Sequence, residues 1–289
     1  MEKAVFISDV SQLGCVGKKY SRVYFGNEFC ERLIPSCEDL VKVMLFVRKK
    51  GFAFSLVTPY VTDTGLGKIK LLLRRLHKEK MPCEIIVNDW GVLHAVSRQY
   101  PSFSPVLGRL LTKQKRCPTL INLFKRETRA MLAKDPENPE LRFLVFQKKL
   151  PPEVDQYYKS SNVSSVPVIH DFLISRGITR IELDNLGQGL MLELPRGKIA
   201  ASVYFPYAYI STTFYCLSAG CDEKKQSFLR RKPCRRQCQS YIFKLRHKAM
   251  PKVIYLKGNT QFYKNTHLPL RSLADSGVDR IVYEPRIPV

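Results

Sequence analysis

Short apolar segments rich in Val, Ile and Phe alternate along this chain with longer segments of helical spacing. The strand-like segments cover residues 4–8, 22–25, 52–57, 83–87, 179–183, 252–256 and 279–283. Residues 37–50 and 65–80 instead repeat apolar positions every three or four residues and carry bases near their ends, as helix C-termini favour. Strand, helix, strand is the βαβ pattern of a parallel sheet.

A short internal repeat refines this prediction. LISRGITRIELD (173–184) and LADSGVDRIVYE (273–284) share a helix end, a glycine and an Arg-Ile strand that ends in an acid. Gly177 and Gly277 are predicted to cap the helices before these strands. Repeated units of this kind predict an α/β fold, a TIM-like (β/α) barrel of regular or irregular form, with a cysteine-bearing C-terminal segment.

The barrel is predicted to span residues 1–289 as a single domain. Residues 134–166 contain four prolines and a Ser-rich end without clear periodicity, which predicts a linker or insertion between two halves. A chain of 289 residues that is 45% hydrophobic can bury a large core. The sequence contains no apolar run of the roughly 18 residues needed to span a bilayer and begins with no signal-like segment, so a cytoplasmic protein is expected.

The cytoplasmic expectation changes how the nine cysteines are interpreted. Thiols stay reduced in that compartment, so ligands, nucleophiles or buried small side chains are favoured over disulfides. Four cysteines lie within residues 216–238, spaced C-x4-C-x12-C-x3-C, together with seven Lys or Arg. Four thiolates can hold tetrahedral zinc or an iron-sulfur cluster. The irregular gaps and the surrounding positive charge favour a cluster, because its thiolate-ligated core is anionic, with zinc as the alternative.

The net charge of +23 indicates a polyanionic partner. Bases occur along the whole chain, which is also consistent with a generally basic protein. Residues 221–250, however, hold ten Lys or Arg against two acids, with aromatic side chains among them. This segment is either a solvated basic face or a contact surface for RNA, and its candidate contact residues are Arg230, Arg231, Arg235, Arg236, Tyr241 and Phe243.

In a TIM-like barrel the functional residues lie on loops that follow the strands. The loops selected by this rule include YFGNEFCERL, TPYVTDTG, NDWGVLH and the segment after ASVYFPYAYI. Asn88, Asp89 and Trp90 are typical of a helix-capping turn with a packing indole. The sequence shows no nucleophile elbow, metalloprotease helix or P-loop, so no hydrolytic machinery is evident and no catalytic residue is assigned.

These loops resemble the U32 "peptidase-like" family, through VYFGNEFCERL, NDWGVL and PYAYISTTFYC followed by C-x12-C-x3-C. In the branch that serves oxygen-independent ubiquinone biosynthesis, the resemblance implies a [4Fe-4S] cluster on Cys30, Cys221, Cys234 and Cys238. The general family pattern places a ligand at Cys216 instead, although Tyr215 stands where that pattern has Arg. One of Cys30, Cys216 and Cys221 is therefore expected to be spare, whereas Cys234 and Cys238 belong to every set.

The resemblance implies an oxygen-independent hydroxylase, or a subunit of one, acting on a quinone precursor or an RNA base. RNA and a partner subunit of the same family are the implied partners. The alternatives are a non-catalytic metal-bearing subunit of a heteromeric complex and a U32 peptidase. A prenylated quinone precursor would need an apolar tunnel, whereas RNA would need a basic rim with aromatic platforms.

Overall fold

The computed structural model describes residues 1–124, 127–161, 163, 165–223, 233–248 and 250–289. The strands are β1 (Glu2–Ile7), β2 (Arg22–Gly26), β3 (Ala53–Val57), β4 (Glu84–Val87), β5 (Ser104–Leu107), β6 (Arg129–Lys134), β7 (Arg142–Gln147), β8 (Arg180–Asp184), β9 (Ala200–Phe205), β10 (Tyr207–Thr212), β11 (Phe243–Leu245), β12 (Ile254–Lys257), β13 (Thr260–Lys264) and β14 (Val278–Tyr283). The α-helices are α1 (Cys37–Lys50), α2 (Asp63–Lys78), α3 (Trp90–Gln99), α4 (Leu120–Phe124), α5 (Pro152–Lys159), α6 (Pro167–Ser175) and α7 (Leu270–Asp275). Short 3₁₀ helices cover Val10–Cys15, Glu31–Leu33 and Gln237–Gln239. Within the described ranges, no helix combines the length and apolar character needed to cross a membrane.

Eight parallel strands close into a barrel in the order β1-β14-β9-β8-β5-β4-β3-β2. The predicted TIM-like α/β barrel is therefore confirmed. Its outer layer is irregular, because a 3₁₀ helix connects β1 to β2 and residues 185–199 connect β8 to β9 without a described helix. All eight strands point their carboxyl ends to the same mouth, which collects the loops that follow them.

Helix α1 illustrates how the sequence determines the outer layer. The Ser36 hydroxyl accepts a hydrogen bond from the Asp39 backbone N–H at 3.0 Å and so caps the first turn. Leu40, Val43, Met44 and Val47 repeat at helical spacing and are buried against the barrel. Gly51 then ends the helix in the left-handed conformation, with φ of 71°.

The interior of the barrel holds a separate apolar layer and, below it, a charged layer. Phe6, Tyr24, Val57, Ile86 and Tyr204 are among the inward-facing side chains. Near the amino ends of the strands, three arginines meet two carboxylates in a network of Arg22, Arg180 and Arg280 with Glu2 and Glu84. Arg180 also pairs with Asp279, so three carboxylates meet three guanidinium groups at the base of the barrel and each of these arginines has an acidic partner.

The repeated sequence motif forms the same local structure twice. Gly177 and Gly277 adopt φ of 75° and 90° directly after α6 and α7, which confirms them as helix-terminating glycines. The strands that follow, β8 and β14, flank β9 in the barrel. Equivalent residues of the two copies therefore lie at the same level along the barrel axis. The last residues of the copies, Asp184 and Glu284, both lie at the mouth.

One predicted strand does not belong to the barrel. The apolar segment at 252–256 overlaps β12, which lies in an antiparallel sheet of order β10-β13-β12-β11. Only two residues separate β12 from β13, with Gly258 at φ of 64°, whereas a parallel crossover needs a dozen residues or more. Six of the seven predicted segments match barrel strands, and the other two barrel strands are β5 and β9. β5 was missed because it has four residues and contains Pro105. β9 overlaps ASVYFPYAYI, which served above only to locate the loop that follows it.

The segment 134–166 lies between β5 and β8 in the chain. It includes β7, which pairs with β6 in an isolated hairpin, and the helix α5. Leu132, Leu144 and Phe146 are exposed on this hairpin. The hairpin is thus an excursion from the barrel between its fifth and sixth strands in chain order.

Gly26 at the end of β2 is predicted to be intolerant of a side chain. Its φ is 137°, and a Cβ atom there would lie 2.1 Å from the Val57 carbonyl oxygen of β3. We expect Gly26→Ala to lower the free energy of unfolding by roughly 2–5 kcal/mol, since overpacking and backbone strain add. Chemical denaturation measures this change.

The matched control is Gly67→Ala in α2, where a Cβ atom meets nothing within 4 Å. This variant should be more stable by about 0.5–1 kcal/mol, because alanine is the better helix former. Equal stability of wild type and Gly26→Ala would contradict the close approach of β2 to β3.

Candidate functional site at the barrel mouth

The mouth of the barrel is formed by the loops after β2, β3, β4 and β5 and by the antiparallel sheet. Asn88 holds three of these loops together. Its amide donates a hydrogen bond to the Thr58 carbonyl at 2.9 Å, and its carbonyl accepts one from the Leu110 backbone N–H at 3.0 Å. Asn259 fixes the sheet to the same surface by donating to the Phe29 carbonyl at 2.6 Å and the Tyr60 hydroxyl at 2.9 Å.

Cys30 lies on the loop that follows β2. The side chain of Asn27 accepts hydrogen bonds from the backbone N–H groups of Phe29 and Cys30 at 3.0 and 2.8 Å, which turns the chain sharply at this point. Burial is the main cause that raises the pKa of Cys30 to about 11, and the charges of Cys238, Cys216 and Cys234 contribute to this increase in that order. The thiol of an early loop therefore interacts with three thiols more than 180 residues away in the sequence.

Cys238 is the most enclosed of these cysteines. It is buried and packs against Gly258, where a Cβ atom would lie 3.3 Å from the Cys238 Cβ and 3.8 Å from its sulfur. Burial also raises the pKa of Cys216, with further contributions from Cys238 and Cys234. We call Cys30, Cys216, Cys234 and Cys238 the thiol group.

Cys221 interacts with this group less extensively. Burial raises its pKa, followed by the charge of Asp222, and Cys238 is the one member of the thiol group among the causes. Across the described residues, no three His, Cys, Asp or Glu side chains lie close enough together to hold one metal ion. A [4Fe-4S] cluster is held by four Cys thiolates, each on a different iron, so its ligands need not surround a single ion.

The remaining cysteines lie elsewhere. Cys15, Cys37 and Cys117 are exposed, whereas Cys83 precedes β4 and packs against the barrel core. Burial raises the pKa of Cys83 to about 12, as expected for a cysteine packed at the start of an apolar strand.

The basic segment is described in part. Arg230 and Arg231 lie outside the described residues. Arg235 and Arg236 are exposed between Cys234 and Cys238, and Tyr241 is 45% exposed shortly after them. Phe243 is half-buried at the start of β11. The exposed members are thus available beside the thiol group.

Beneath the mouth, one arginine joins three carboxylates. Arg109 is fully buried and donates hydrogen bonds to Glu28, to Asp184 at 3.0 Å and to Glu284 at 2.8 Å. Its guanidinium lies 3.7 Å from the centre of the Tyr204 ring. Arg116 donates to the second oxygen of Asp184 at 2.8 Å. We call Arg109, Arg116, Glu28, Asp184 and Glu284 the ion network.

The charges of the ion network do not balance when every group is ionised. Three carboxylates face two guanidinium groups, which leaves one negative charge in a fully buried site. One oxygen of Glu28 and one of Glu284 lack a hydrogen-bond partner among the described residues. Burial, opposed by Arg109 and assisted by Glu28 and Asp184, raises the pKa of Glu284 to about 8. A proton on Glu284 makes the network neutral.

Beside the ion network, a cavity of about 600 Å³ opens between the loops. Four aromatic residues line it, namely Tyr60, Trp90, Tyr209 and Phe214. The rings of Tyr60 and Phe214 meet edge to face at 4.4 Å, and the Arg116 guanidinium lies 4.1 Å from the centre of the Tyr209 ring. We call this cavity the ring pocket.

The ring pocket changes the interpretation of the NDW turn. Asp89 caps α3 as predicted, since its side chain accepts from the Gly91 and Val92 backbone N–H groups at 2.7 and 3.1 Å. The Trp90 indole packs edge to face on Phe172 at 5.9 Å, and 49% of it stays exposed at the pocket. His94 is exposed on the following helix and does not line the pocket.

The sequence analysis did not identify the ion network. No local pattern distinguishes Arg109 or Arg116 from the other bases of so basic a chain. The repeat did contain a signal, because Asp184 and Glu284 are its equivalent terminal acids and both bind Arg109. Equivalent acids at the ends of two nearby parallel strands must meet at the same mouth.

Comparison with known proteins gave similarities in structure alone. No family model matches the chain, and no curated protein matches it. The chain is similar to the U32 peptidase Mk0906, with 7% identity, a TM-score of 0.45 and coverage of 100% of this chain and 94% of that one. It is also similar to a family 18 N-acetylglucosaminidase from Paenibacillus barengoltzii, with 8% identity, a TM-score of 0.34 and coverage of 98% and 94%. Human YKL-39, a pseudo-chitinase, has 8% identity, a TM-score of 0.35 and coverage of 98% and 91%.

The ion network predicts an unusual pH dependence of stability. Folding raises the pKa of Glu284, so the folded state binds more protons than the unfolded state between about pH 4.5 and pH 8. The free energy of unfolding should therefore decrease as pH rises through this window, with a contribution from Glu284 of up to about 1.4 kcal/mol per pH unit. Glu284→Gln mimics the protonated acid and should remove that contribution. Chemical denaturation at several pH values measures both slopes.

Glu140→Gln is the control, because this exposed glutamate lies on the β6–β7 hairpin turn, away from the network. Its pH profile should match that of wild type. A Glu284→Gln profile parallel to wild type over the whole window would show that Glu284 is ionised in the folded protein.

Proposed function

We propose that this chain holds a [4Fe-4S] cluster at the mouth of its barrel and takes part in oxygen-independent hydroxylation of a quinone precursor or an RNA base. The observation that carries the proposal is the convergence of Cys30 with Cys216, Cys234 and Cys238. The electrostatic interactions among these four thiols join an early loop to a distant C-terminal segment. Independent structural cysteines have no reason to gather in this way.

The surroundings of the thiol group suit an anionic cluster. Thiols in a buried place have raised pKa values, as Cys30 and Cys216 do, and a bound cation is what favours their deprotonated form. Arg235 and Arg236 lie near Cys238 in the chain, and Lys257 lies near it in space. Burial lowers the pKa of Lys257, and the charge of Cys238 opposes this effect. Nearby cations offset the negative charge of a thiolate-ligated cluster.

The structure supports Cys216 rather than Cys221 as the fourth ligand. Cys216 interacts with two other members of the thiol group, and it is one of the causes of the raised pKa of Cys30. Cys221 has Asp222 as its first charged neighbour, and a carboxylate beside a ligand disfavours an anionic cluster. The proposed ligands are therefore Cys30, Cys216, Cys234 and Cys238.

Within the proposed function, the cluster would supply redox chemistry beside a bound substrate, which hydroxylation oxidises. The barrel residues have separate tasks. Asn27 and Asn259 fix the loop that bears Cys30, through the contacts at 2.8 and 2.6 Å described above. Phe29, Leu110 and Phe262 pack with Cys238 and exclude water from one side of the thiol group. The assignment to hydroxylation rests on the resemblance of the cysteine-bearing segments to the oxygen-independent branch of the U32 family.

Single cysteine variants test the ligand assignment. Cys30→Ser, Cys216→Ser, Cys234→Ser and Cys238→Ser should each lose the broad visible absorption of thiolate-ligated iron, along with most of the bound iron and sulfide, after anaerobic purification. Cys221→Ser should keep wild-type absorption and iron content. The measurement is the visible spectrum together with iron, zinc and sulfide analysis of each protein.

Cys117→Ser is a matched control, because this exposed cysteine lies outside the thiol group. If Cys221→Ser loses the iron and Cys216→Ser keeps it, the ligand set implied by the ubiquinone branch is the correct one and our choice fails. Stoichiometric zinc without iron in the wild-type protein would reject the cluster altogether.

A further inference from the structure

The ring pocket exposes aromatic surface that the fold does not use. Trp90 is 49% exposed and Phe214 is 71% exposed, although both line a concave cavity. Exposed apolar rings gathered in a cavity are typical of a ligand site, whereas scattered surface side chains are not. The packing around the cavity is otherwise ordered, since Asn259 fixes the Tyr60 hydroxyl at 2.9 Å and the Tyr209 hydroxyl donates to the Arg109 carbonyl at 3.1 Å.

We propose that the ring pocket binds one unstacked nucleotide of a single-stranded RNA, with its base against Trp90 or Phe214. Aromatic side chains stack on the face that an unpaired base exposes, and this contact tolerates any base. A volume of about 600 Å³ exceeds what one benzene-type ring would fill. The pocket is open and partly lined by polar side chains such as Ser211 and Thr212, so it is not the closed apolar tunnel that a prenylated quinone precursor would need.

Charge at the rim favours a phosphate-bearing ligand. Lys113 lines the pocket, is exposed, and has φ of 53°, a left-handed backbone conformation that non-glycine residues rarely adopt. Such conformations persist at binding sites because the surrounding structure enforces them. Arg116 also lines the pocket, so two cations face its one acidic lining residue, Asp89. The chain as a whole carries a net charge of +23, which attracts polyanions to the protein over a longer range.

The ring pocket also lies against the thiol group. Tyr60 forms one of its walls, and Asn259 donates hydrogen bonds both to the Tyr60 hydroxyl at 2.9 Å and to the carbonyl of Phe29, the residue before Cys30, at 2.6 Å. Tyr209 lines the pocket and packs edge to face on Phe29 at 5.2 Å, while Phe29 belongs to the same apolar cluster as Cys238. A base in the pocket would therefore be one aromatic layer from the proposed iron site. The identification of the bound base as the substrate rests on the proposed function. The binding of a nucleotide in the ring pocket does not depend on that function.

Trp90 provides a direct measurement, because it is the one tryptophan of the chain. A single-stranded oligouridylate titrated into the full-length protein should quench or shift the tryptophan fluorescence at saturation, since a base stacked in the pocket alters the environment of the indole. Phe214→Ala should weaken this binding roughly 5- to 100-fold by removing one stacking surface. Phe146→Ala, which removes an exposed phenylalanine of the hairpin, should leave the affinity unchanged.

The salt dependence tests the phosphate contact separately. Lys113→Gln should reduce the slope of log affinity against log salt by about 0.7, the value for one phosphate contact with a single strand. Lys49→Gln is the control, because Lys49 is exposed in the last turn of α1 at the opposite end of the barrel. This variant should leave the slope at its wild-type value.

Three outcomes would overturn the proposal. Double-stranded RNA binding as tightly as the single strand, with no loss of affinity in Phe214→Ala, would indicate backbone contact outside the pocket. Uridine monophosphate binding as tightly as the oligonucleotide would make the pocket a free-nucleotide site. Quenching by 4-hydroxybenzoate but by neither nucleotide probe would assign the pocket to small aromatic acids. Iron content is measured on the same samples. The iron content tests the cluster proposal and the titrations test the nucleotide proposal, so the failure of one is distinguishable from the failure of the other.

Discussion

The buried guanidinium of Arg109 is the interaction on which the mouth of this barrel depends. It binds Glu28 after β2, Asp184 at the end of β8 and Glu284 directly after β14, and so joins loops and strands from three parts of the ring. Removing the arginine would leave three carboxylates without their common partner in a site closed to water, which is among the most costly changes a core can undergo. The network thereby fixes the height and spacing of the loops above it.

Both candidate sites are built on this base. Glu28 immediately precedes Phe29 and Cys30, so the ion network anchors the loop that carries the first thiol. Arg116 joins the same network through Asp184 and supports the Tyr209 ring of the ring pocket. The thiol group and the ring pocket are therefore both supported by the ion network, and Tyr60 and Phe29 lie between them. This arrangement would hold a bound ring at a constant distance from the thiols.

The outer framework of the fold was predictable because its signals are local. Helix α1 shows apolar residues at helical spacing between Ser36 and Gly51, and the repeat marks two helix-to-strand turns with Gly177 and Gly277. The strand predictions were wrong or incomplete where the local apolar pattern does not determine which sheet a strand joins. The apolar segment of β12 resembles a barrel strand, but the two-residue turn to β13 makes its sheet antiparallel. Short β5, with Pro105, has too little pattern to be detected.

The functional residues were predictable to different degrees for the same reason. Cysteines are few, so the spacing of Cys216, Cys221, Cys234 and Cys238 stands out, whereas the involvement of Cys30 came from the family resemblance. Arg109 and Arg116 carry no distinguishing sequence signal, since burial and pairing depend on strands far apart in the chain. Trp90 was predicted to pack and does pack on Phe172, whereas its partial exposure at the ring pocket follows from the shape of neighbouring loops rather than from its own sequence context.

X-ray absorption at the iron edge of the anaerobically purified full-length protein tests the central claim most directly. The account predicts that each iron has sulfur neighbours together with a short iron–iron distance, because a [4Fe-4S] cluster combines thiolate ligands with bridging sulfides. Iron surrounded by nitrogen or oxygen ligands, without iron–iron scattering, would contradict the account. An absorption edge from zinc alone, with four sulfur neighbours at about 2.3 Å, would equally contradict it.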